Sequence, residues 1–202
     1  QEWTVENACH ITYRDGTPIP EVTDNPEWFN LTTGAWSYYE NDPTKPRLYN
    51  WYAVMGIYDE ASLSDATLRK EFAPEGWHVP TDAEWTTLEE YLIANGYNYD
   101  QTTTGNKIAK AMASTNGWNI SYTAGAVGNE QWLNNDSEFN VVPEGNRSYD
   151  GGFSNEGFSA FIWSSTEYLN TSWIRALSKG NSNLGRVDDG LQFGFSVRFV
   201  RD

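Results

Sequence analysis

The stretch Gly76-Trp77-His78-Val79-Pro80-Thr81-Asp82-Ala83-Glu84-Trp85 holds the clearest structural signal in this chain of 202 residues. Thr81 and Glu84 have the spacing of a capping box, in which the threonine hydroxyl accepts a hydrogen bond from the Glu84 N–H. The Glu84 carboxylate reaches back to the Thr81 N–H, so two backbone donors at the helix start are satisfied. The stretch therefore predicts a helix that begins just after Thr81.

The residues beyond this stretch continue the helix and predict where it ends. Trp85, Leu88 and Leu92 follow at i, i+3 and i+7, which places them on one apolar face. Gly96 suits the left-handed position that closes many helices. A second, shorter helix is predicted from about Asn106 to Ser114, where apolar residues recur on one stripe.

Short strand-like runs dominate the second half of the chain. The predicted strands are residues 160–165, 172–178 and 195–201, the last of which alternates Phe195, Val197 and Phe199 with more polar positions. A loop or hairpin is predicted at 179–193, because Gly, Asn and Asp are frequent there. Two helices followed by antiparallel strands predict an α+β domain.

The first half of the chain contains many turn-forming residues. Residues 14–48 are rich in Gly, Pro, Asn and Asp, which predicts an irregular meander with short strands. The apolar run from Asn50 to Val54 predicts one such strand. No linker and no internal repeat divides the sequence, so one domain spanning residues 1–202 is predicted.

Composition excludes several classes of protein. With 13 Lys and Arg against 28 Asp and Glu, the net charge is −15, which argues against a nucleic-acid partner and against anionic membranes. No apolar run reaches the length of a membrane span, so no membrane insertion is predicted. One cysteine and two histidines exclude an internal disulfide and disfavour a zinc site. Aromatic residues make up 15% of the chain, which is typical of a folded globule and not of an acidic disordered tail.

Five segments resemble the Fibrobacter succinogenes major paralogous domain, a bacterial extracellular family. They are residues 13–20, 48–54, 76–85, 161–167 and 194–202, in that order. The resemblance implies a C-type-lectin-like fold in the branch that includes the formylglycine-generating enzymes. In such a fold the termini share one antiparallel sheet, long loops lie above it, and ligands meet the loops and late strands. It also implies secretion or display on the bacterial cell surface.

The chain departs from that family at its cysteines. Relatives often carry cysteine at the positions of Ser37, Ala73 and Phe199, so any family disulfide is absent here. The formylglycine-generating enzymes oxidise their substrate with cysteines late in the chain, whereas no cysteine follows Cys9. The resemblance therefore implies packing and not disulfides as the source of stability, and it does not carry that oxidation chemistry over.

The segment from Tyr168 to Asp189 is the candidate ligand-binding site. Short polar side chains mixed with aromatic residues and arginine compose adaptable contact surfaces. The predicted ligand-binding residues are Tyr168, Trp173, Arg175, Ser178, Lys179, Asn181, Asn183, Arg186 and Asp188. Trp173 and Arg175 are expected on one strand face, and an ordinary solvated hairpin remains the alternative.

Each of the other candidate groups, which are carboxylate pairs, oxygen-rich segments and one histidine, has two interpretations. The carboxylate pairs Glu89–Glu90, Asp188–Asp189 and Asp136 with Glu138 suit either a glycosidase or plain surface charge. The oxygen-rich segments 134–138 and 188–190 leave a structural calcium as an alternative to the prediction of no cofactor and no metal. His78 is either a pH-sensing or ligand-contacting group or a buried histidine bonded to a loop carbonyl.

The sequence thus predicts a non-catalytic extracellular binding or adhesion module. Its predicted partner is a glycan or a protein at a cell surface, recognised through the late strands and loops. The alternatives are a secreted glycan-active hydrolase that uses a carboxylate pair, and a purely structural displayed module.

Overall fold

Two long antiparallel strands form the centre of the main sheet. The computed structural model describes residues 1–202, and its five-stranded sheet has the order β5-β4-β6-β7-β8. Its strands are β4 (Glu144–Arg147), β5 (Phe153–Glu156), β6 (Ser159–Tyr168), β7 (Thr171–Ser178) and β8 (Gly185–Gly190). All neighbours are antiparallel except β4 and β6, which are parallel. The predicted strands at 160–165 and 172–178 are confirmed within β6 and β7, and the predicted loop or hairpin contains β8.

Two small two-stranded sheets lie beside this one. The first pairs β1 (Trp36–Tyr38) with β2 (Arg47–Tyr49), and the second pairs β3 (Trp77–His78) with β9 (Val200–Arg201). Trp3 forms an antiparallel bridge with Val200, so the two ends of the chain lie side by side.

Only one of the helices is long. The helices are α1 (Asn25–Phe29), α2 (Trp51–Val54), α3 (Glu60–Ser64), α4 (Asp82–Ala94) and α5 (Ala109–Met112). Helix α4 begins with the predicted capping box, since Thr81 accepts from the Glu84 N–H and Glu84 accepts from the Thr81 N–H. The helix predicted at 106–114 is confirmed only for the single turn of α5. None of the helices combines the length and apolar composition that a membrane span needs.

One predicted strand near the centre of the molecule is wrong, and another is confirmed only in part. Asn50 caps helix α2, because its side chain accepts from the Ala53 N–H at 3.0 Å, so Trp51–Val54 is helical and only Asn50 is extended. In the predicted closing strand 195–201 only β9 is regular. Every residue from Phe195 to Val200 is buried, so the alternation there does not separate a core face from a solvent face.

The central strand β6 divides the core in two. Trp163 packs with Trp51, Phe195 and Ile174 on one side, in a cluster of 18 buried residues. Ile162 points to the other side, because successive strand residues alternate between faces, and packs in a second cluster of 14 residues around Trp85. The mixture of few helices and short, mostly antiparallel sheets confirms the α+β class.

Three fully buried arginines hold loops to this core. They are Arg147 from β4, Arg175 from β7 and Arg198 from the final segment. The Arg198 guanidinium donates to the carbonyl oxygens of Thr4, Phe139 and Asn140 at 2.9–3.1 Å. Burial lowers the pKa of Arg198 to about 10, so the group stays charged at neutral pH. The arginines therefore link distant segments in a chain whose one cysteine, Cys9, is free.

Candidate functional site

The nine predicted ligand-binding residues do not form one surface. Strand β7 spans eight residues, so its ends are separated by roughly 23 Å at about 3.3 Å per step. Tyr168 and Asp188 are exposed near its first residue, whereas Asn181 and Asn183 are exposed beyond its last. A small-molecule ligand cannot contact both groups, although a protein interface can be that wide.

The Trp173 side chain is partly covered by Arg186 from β8 and by Tyr168 from β6. The Arg186 guanidinium carbon lies 3.4 Å from the centre of the Trp173 ring, and the Tyr168 ring centre lies 4.7 Å away. Arg186 also donates hydrogen bonds to both Asp82 carboxylate oxygens, at 2.9 and 2.8 Å. Because Arg186 covers one face of the indole, Trp173 offers little free surface for stacking on a ligand.

The expectation that Arg175 contributes to a contact surface is wrong. Arg175 does lie on the Trp173 face of β7, but its side chain is completely buried under helix α4. It donates to Asp82 at 2.7 Å and to Glu89. Partial burial alone would raise the pKa of Asp82, but hydrogen bonds from Arg186 and Arg175 outweigh it and lower that pKa. Arg175 thus fastens the sheet to α4 and is not available to a ligand.

The far end of β7 is tied to a neighbouring loop. The backbone carbonyls of Lys179 and Asn181 accept from the N–H groups of Gly128 and Val127 at 2.8 and 3.1 Å. The Lys179 ammonium lies 4.0 Å from the ring centre of Phe158. Ser178, half-buried at the end of β7, completes a second, smaller surface at this end.

His78 is not the buried, carbonyl-bonded residue that one interpretation predicted. Its ring nitrogens contact two carboxylates, with Nδ1 at 2.7 Å from Asp202 and Nε2 at 2.8 Å from Glu84. Partial burial acts to lower the pKa of His78, but the two carboxylates outweigh it and raise the pKa. The imidazole thus joins the end of the chain to the capping box of α4.

The two oxygen-rich segments do not bring three or more acidic side chains together. No group of three or more His, Cys, Asp or Glu side chains is arranged to hold a metal. In the 134–138 segment the Asn134 side chain accepts from Lys110 at 2.8 Å and donates to Ser114 and Val127, so its amide serves the loop. Ser137 likewise donates to the Ala111 carbonyl.

The carboxylates that are adjacent in sequence also have different hydrogen-bond partners. Glu89 is bonded to Arg175, and Asp188 accepts from the Thr171 hydroxyl at 3.0 Å. Asp189 points to the opposite face of β8, and burial raises its pKa. Neither the Glu89–Glu90 nor the Asp188–Asp189 adjacency produces two carboxylates facing one cleft, because adjacent strand or helix residues point in different directions.

An open cleft lined by aromatic rings lies at the end of β8. This aromatic cleft encloses about 390 Å³ and is lined by Phe29, Tyr149, Gly190, Gln192 and Phe193. Phe29 and Tyr149 are each about half exposed, at 52% and 51%. The Tyr149 ring lies 6.3 Å from Phe29 and 5.7 Å from Phe193, measured between ring centres. The cleft therefore combines accessible aromatic faces with the Gln192 amide.

A buried arginine positions the walls of the aromatic cleft. Arg147 donates to Gly151 O at 3.0 Å in the loop that carries Tyr149. It also donates to Val22 O, to Thr23 O at 3.2 Å and to Asn25 Oδ1 at 3.1 Å, just before Phe29.

The floor of the cleft is fixed by Trp28. The Trp28 indole stacks under Arg147, 4.1 Å from the guanidinium carbon, and donates to Gln192 O at 2.8 Å. One guanidinium and one indole therefore bring together the three chain segments that form the cleft.

Sequence reasoning missed this cleft. Phe29, Tyr149 and Phe193 belong to three separate segments, and none falls within 168–189. The signal was present at Tyr149, since an aromatic residue directly before Asp150-Gly151-Gly152 stands at the tip of a turn, where burial is difficult. The meander of 14–48 gave no such signal for Phe29.

A polar cavity on another side of the molecule brings two glutamates together. Glu144 and Glu156 are direct cross-strand partners in β4 and β5, and both line a space of about 470 Å³. Burial raises the pKa of Glu144, although Ser196 and Asn7 each donate to its Oε2 at 2.6 Å. Glu156 is ion-paired with Lys45 at the surface. The two carboxyl groups thus occupy different electrostatic environments.

Comparison with known proteins places the chain in a family. No curated protein and no solved structure matches it. The family described as Fibrobacter succinogenes major domain matches residues 1–201, which include all nine strands and the segments that form the aromatic cleft. Because this match spans nearly the whole sequence, the chain belongs to the Fibrobacter succinogenes major domain family.

Proposed function

We propose that the chain is a non-catalytic extracellular module that binds carbohydrate in the aromatic cleft. The observation that carries this proposal is the pair of half-exposed rings, Phe29 and Tyr149, facing a concave space of about 390 Å³ with Gln192 beside them. Aromatic rings pack on the apolar face of a sugar ring, and an amide can bond its hydroxyls. The cleft falls within the usual volume of small-ligand sites.

The rigidity of the cleft supports binding over a merely structural role. Two of its segments are bonded to Arg147, and the third is bonded to Trp28, so little ordering of loops is required when a ligand enters. Preorganised sites gain affinity because they avoid that entropic cost. A displayed structural module has no need of exposed rings held in this way.

Fold type and location are parts of the same proposal. The C-type-lectin-like fold agrees with the pairing of the chain ends through Trp3 and Val200. Secretion or surface display agrees with the strongly acidic composition, which keeps a protein in solution outside the cell. A protein ligand bound at the exposed Tyr168 and Asp188 end of the hairpin is the alternative outcome of the test below.

Replacement of Tyr149 by alanine tests the proposed site. Affinity electrophoresis through gels containing β-glucan, xylan or mannan should show retardation of the wild-type chain. Tyr149→Ala should bind roughly tenfold more weakly, because an aromatic contact contributes about 1–1.5 kcal/mol. EDTA should leave the retardation unchanged.

Two further variants locate the site. Tyr122→Ala removes a ring that is 93% exposed and outside the cleft, so it should bind like the wild type. If Tyr168→Ala abolishes binding while Tyr149→Ala does not, the site lies on the β6–β7 hairpin. Absence of binding to any polysaccharide would favour a protein partner.

The hydrolase alternative is favoured by one arrangement, the presence of Glu144 and Glu156 in the lining of the same cavity. A glycosidase needs one carboxyl group with a raised pKa as acid and a second that stays ionised. Burial supplies the first condition at Glu144, and Lys45 supplies the second at Glu156. Release of reducing sugar from polysaccharide by the wild type, lost in both Glu144→Gln and Glu156→Gln, would overturn the non-catalytic proposal.

A further inference from the structure

A second cavity with exposed aromatic residues shares none of its lining residues with the aromatic cleft. This loop cavity encloses about 400 Å³ between the segment 96–101, helix α5 and the turn 132–136. The Trp132 side chain is 71% exposed and that of Tyr99 is 44% exposed. An indole left this accessible is unusual in a domain that buries most of its other tryptophans.

The Tyr99 ring is held in a fixed position. It lies directly against the backbone at Gly125, where an added Cβ would come within 2.3 Å of the ring. Gly125 also has φ +75°, so no other residue suits this position well. Tyr99 therefore packs against a neighbouring loop while 44% of it stays exposed.

The floor of the loop cavity is polar and internally satisfied. The Lys110 ammonium donates to Glu130 O at 3.0 Å, to Asn134 Oδ1 at 2.8 Å and to Asn129 O. The Asn98 amide donates to Thr102 O at 2.8 Å. Because Lys110 and Asn98 are hydrogen-bonded to the surrounding loops, they hold those loops in place and are not available to a ligand.

The rim supplies groups for a ligand. Gln101 and Asp136 are exposed where they line the cavity, and their amide and carboxylate groups can bond hydroxyls. Gln101 adopts φ +59° and Glu130 adopts φ +45°, which costs about 1 kcal/mol or more for a residue with a side chain. Such strain persists only where surrounding contacts impose it, here the bonds to Asn98 and Lys110.

We propose that the loop cavity is a second carbohydrate-binding site, specific for uncharged sugars. Trp132 and Tyr99 provide apolar faces, while Gln101 and Asp136 bond hydroxyl groups. The Lys110 ammonium is fully engaged with carbonyl oxygens, and the chain carries a net charge of −15, so an acidic sugar would find no free cation. With the aromatic cleft, this second site makes the domain bivalent. It shares the ligand class of the proposed function but none of its residues.

The test uses the intact chain with cellotetraose, xylotetraose and mannotetraose as probes. The aromatic cleft has no tryptophan in its lining, whereas the loop cavity contains Trp132. At least one probe should shift the tryptophan emission of the wild type. Trp132→Phe should remove the larger part of that shift, and Tyr149→Ala should retain it. Calorimetry should give two molecules of this probe per wild-type chain and one per chain of Trp132→Ala.

Other results separate this inference from the proposed function. Tyr99→Ala should raise the dissociation constant obtained from the emission titration roughly tenfold, while Tyr122→Ala should leave that constant unchanged. If none of the probes alters the wild-type emission, or if Trp132→Ala binds two molecules, the second site does not exist. If Trp132→Ala abolishes all binding and Tyr149→Ala has no effect, the second site stands and the aromatic cleft is not a binding site.

Discussion

At the scale of single residues, Arg147 has the largest influence on the candidate site. Its guanidinium bonds four groups in two loops and stacks on Trp28, in a place with no solvent. Burial lowers the pKa of Arg147 to about 10, so the guanidinium is still charged at pH 7. Lysine cannot replace the planar fork of five donors.

Arg147→Lys should therefore lower the free energy of unfolding by about 2–4 kcal/mol, because several buried carbonyl groups lose their donor. Urea unfolding followed by tryptophan fluorescence measures this difference. Arg201→Lys is the matched control, since Arg201 is 59% exposed in its pair with Glu2 and should change stability by less than about 1 kcal/mol. Equal effects of the two variants would contradict the role assigned to Arg147.

Some residues could be assigned from the sequence and others could not. The roles of Thr81 and Glu84 followed from local spacing alone, because a capping box involves only neighbouring atoms. Arg175 was misjudged because strand periodicity tells which face a residue occupies but not what covers that face. Phe29 and Tyr149 were missed because their proximity depends on contacts between distant segments.

At the scale of elements, helix α4 is attached to the sheet at its first turn. Asp82 joins it to β7 and β8 through Arg175 and Arg186, and Glu84 joins it to His78 in β3. The sequence predicted this helix and both long strands, since each has a strong period. It did not distinguish helix from strand at Asn50–Val54, because a short apolar run fits both and the capping by Asn50 decides.

The pairing of His78 gives the attachment a dependence on pH. The pKa of His78 is raised above its usual 6.5, so its contribution to stability is fully present below pH 6.5 and is lost as pH rises through the folded-state value. The melting temperature of wild type minus that of His78→Gln should be larger at pH 5.5 than at pH 9. Because the His78 side chain is 38% exposed, the change should stay below about 1 kcal/mol. A difference that is the same at both pH values would contradict the stabilising role assigned to the protonated imidazole.

At the scale of the whole molecule, the first and last segments complete one another. Ala8 lies in the main core cluster, Thr4 O accepts from Arg198, and Trp3 bridges Val200. Neither segment can bury its polar groups alone. The sequence indicated this closure only through the family resemblance, since no local pattern relates residues so far apart.

Removal of residues 1–8 should therefore lower the melting temperature by about 10 °C or more, because the Arg198 guanidinium loses two acceptors, Thr4 O and Asn7 Oδ1, and each hydrogen bond to a charged group contributes about 1.5–3 kcal/mol. Removal of Gln1 and Glu2 alone is the control and should cost about 2 °C or less, since the exposed Arg201–Glu2 pair contributes little. Differential scanning calorimetry distinguishes the two. If the two deletion variants have the same melting temperature, the contacts of Arg198 with the first segment do not stabilise the protein.

The buried arginines have a consequence for how the domain can change over time. Arg147 and Arg198 hold their loops mainly through main-chain oxygens, those of Val22, Thr23, Gly151, Phe139 and Asn140 among them. Every amino acid has such an oxygen, so these anchors recognise the path of a loop and not its side chains. Mutations can therefore change the side chains at the rim of the aromatic cleft while the main-chain frame that Arg147 holds stays the same.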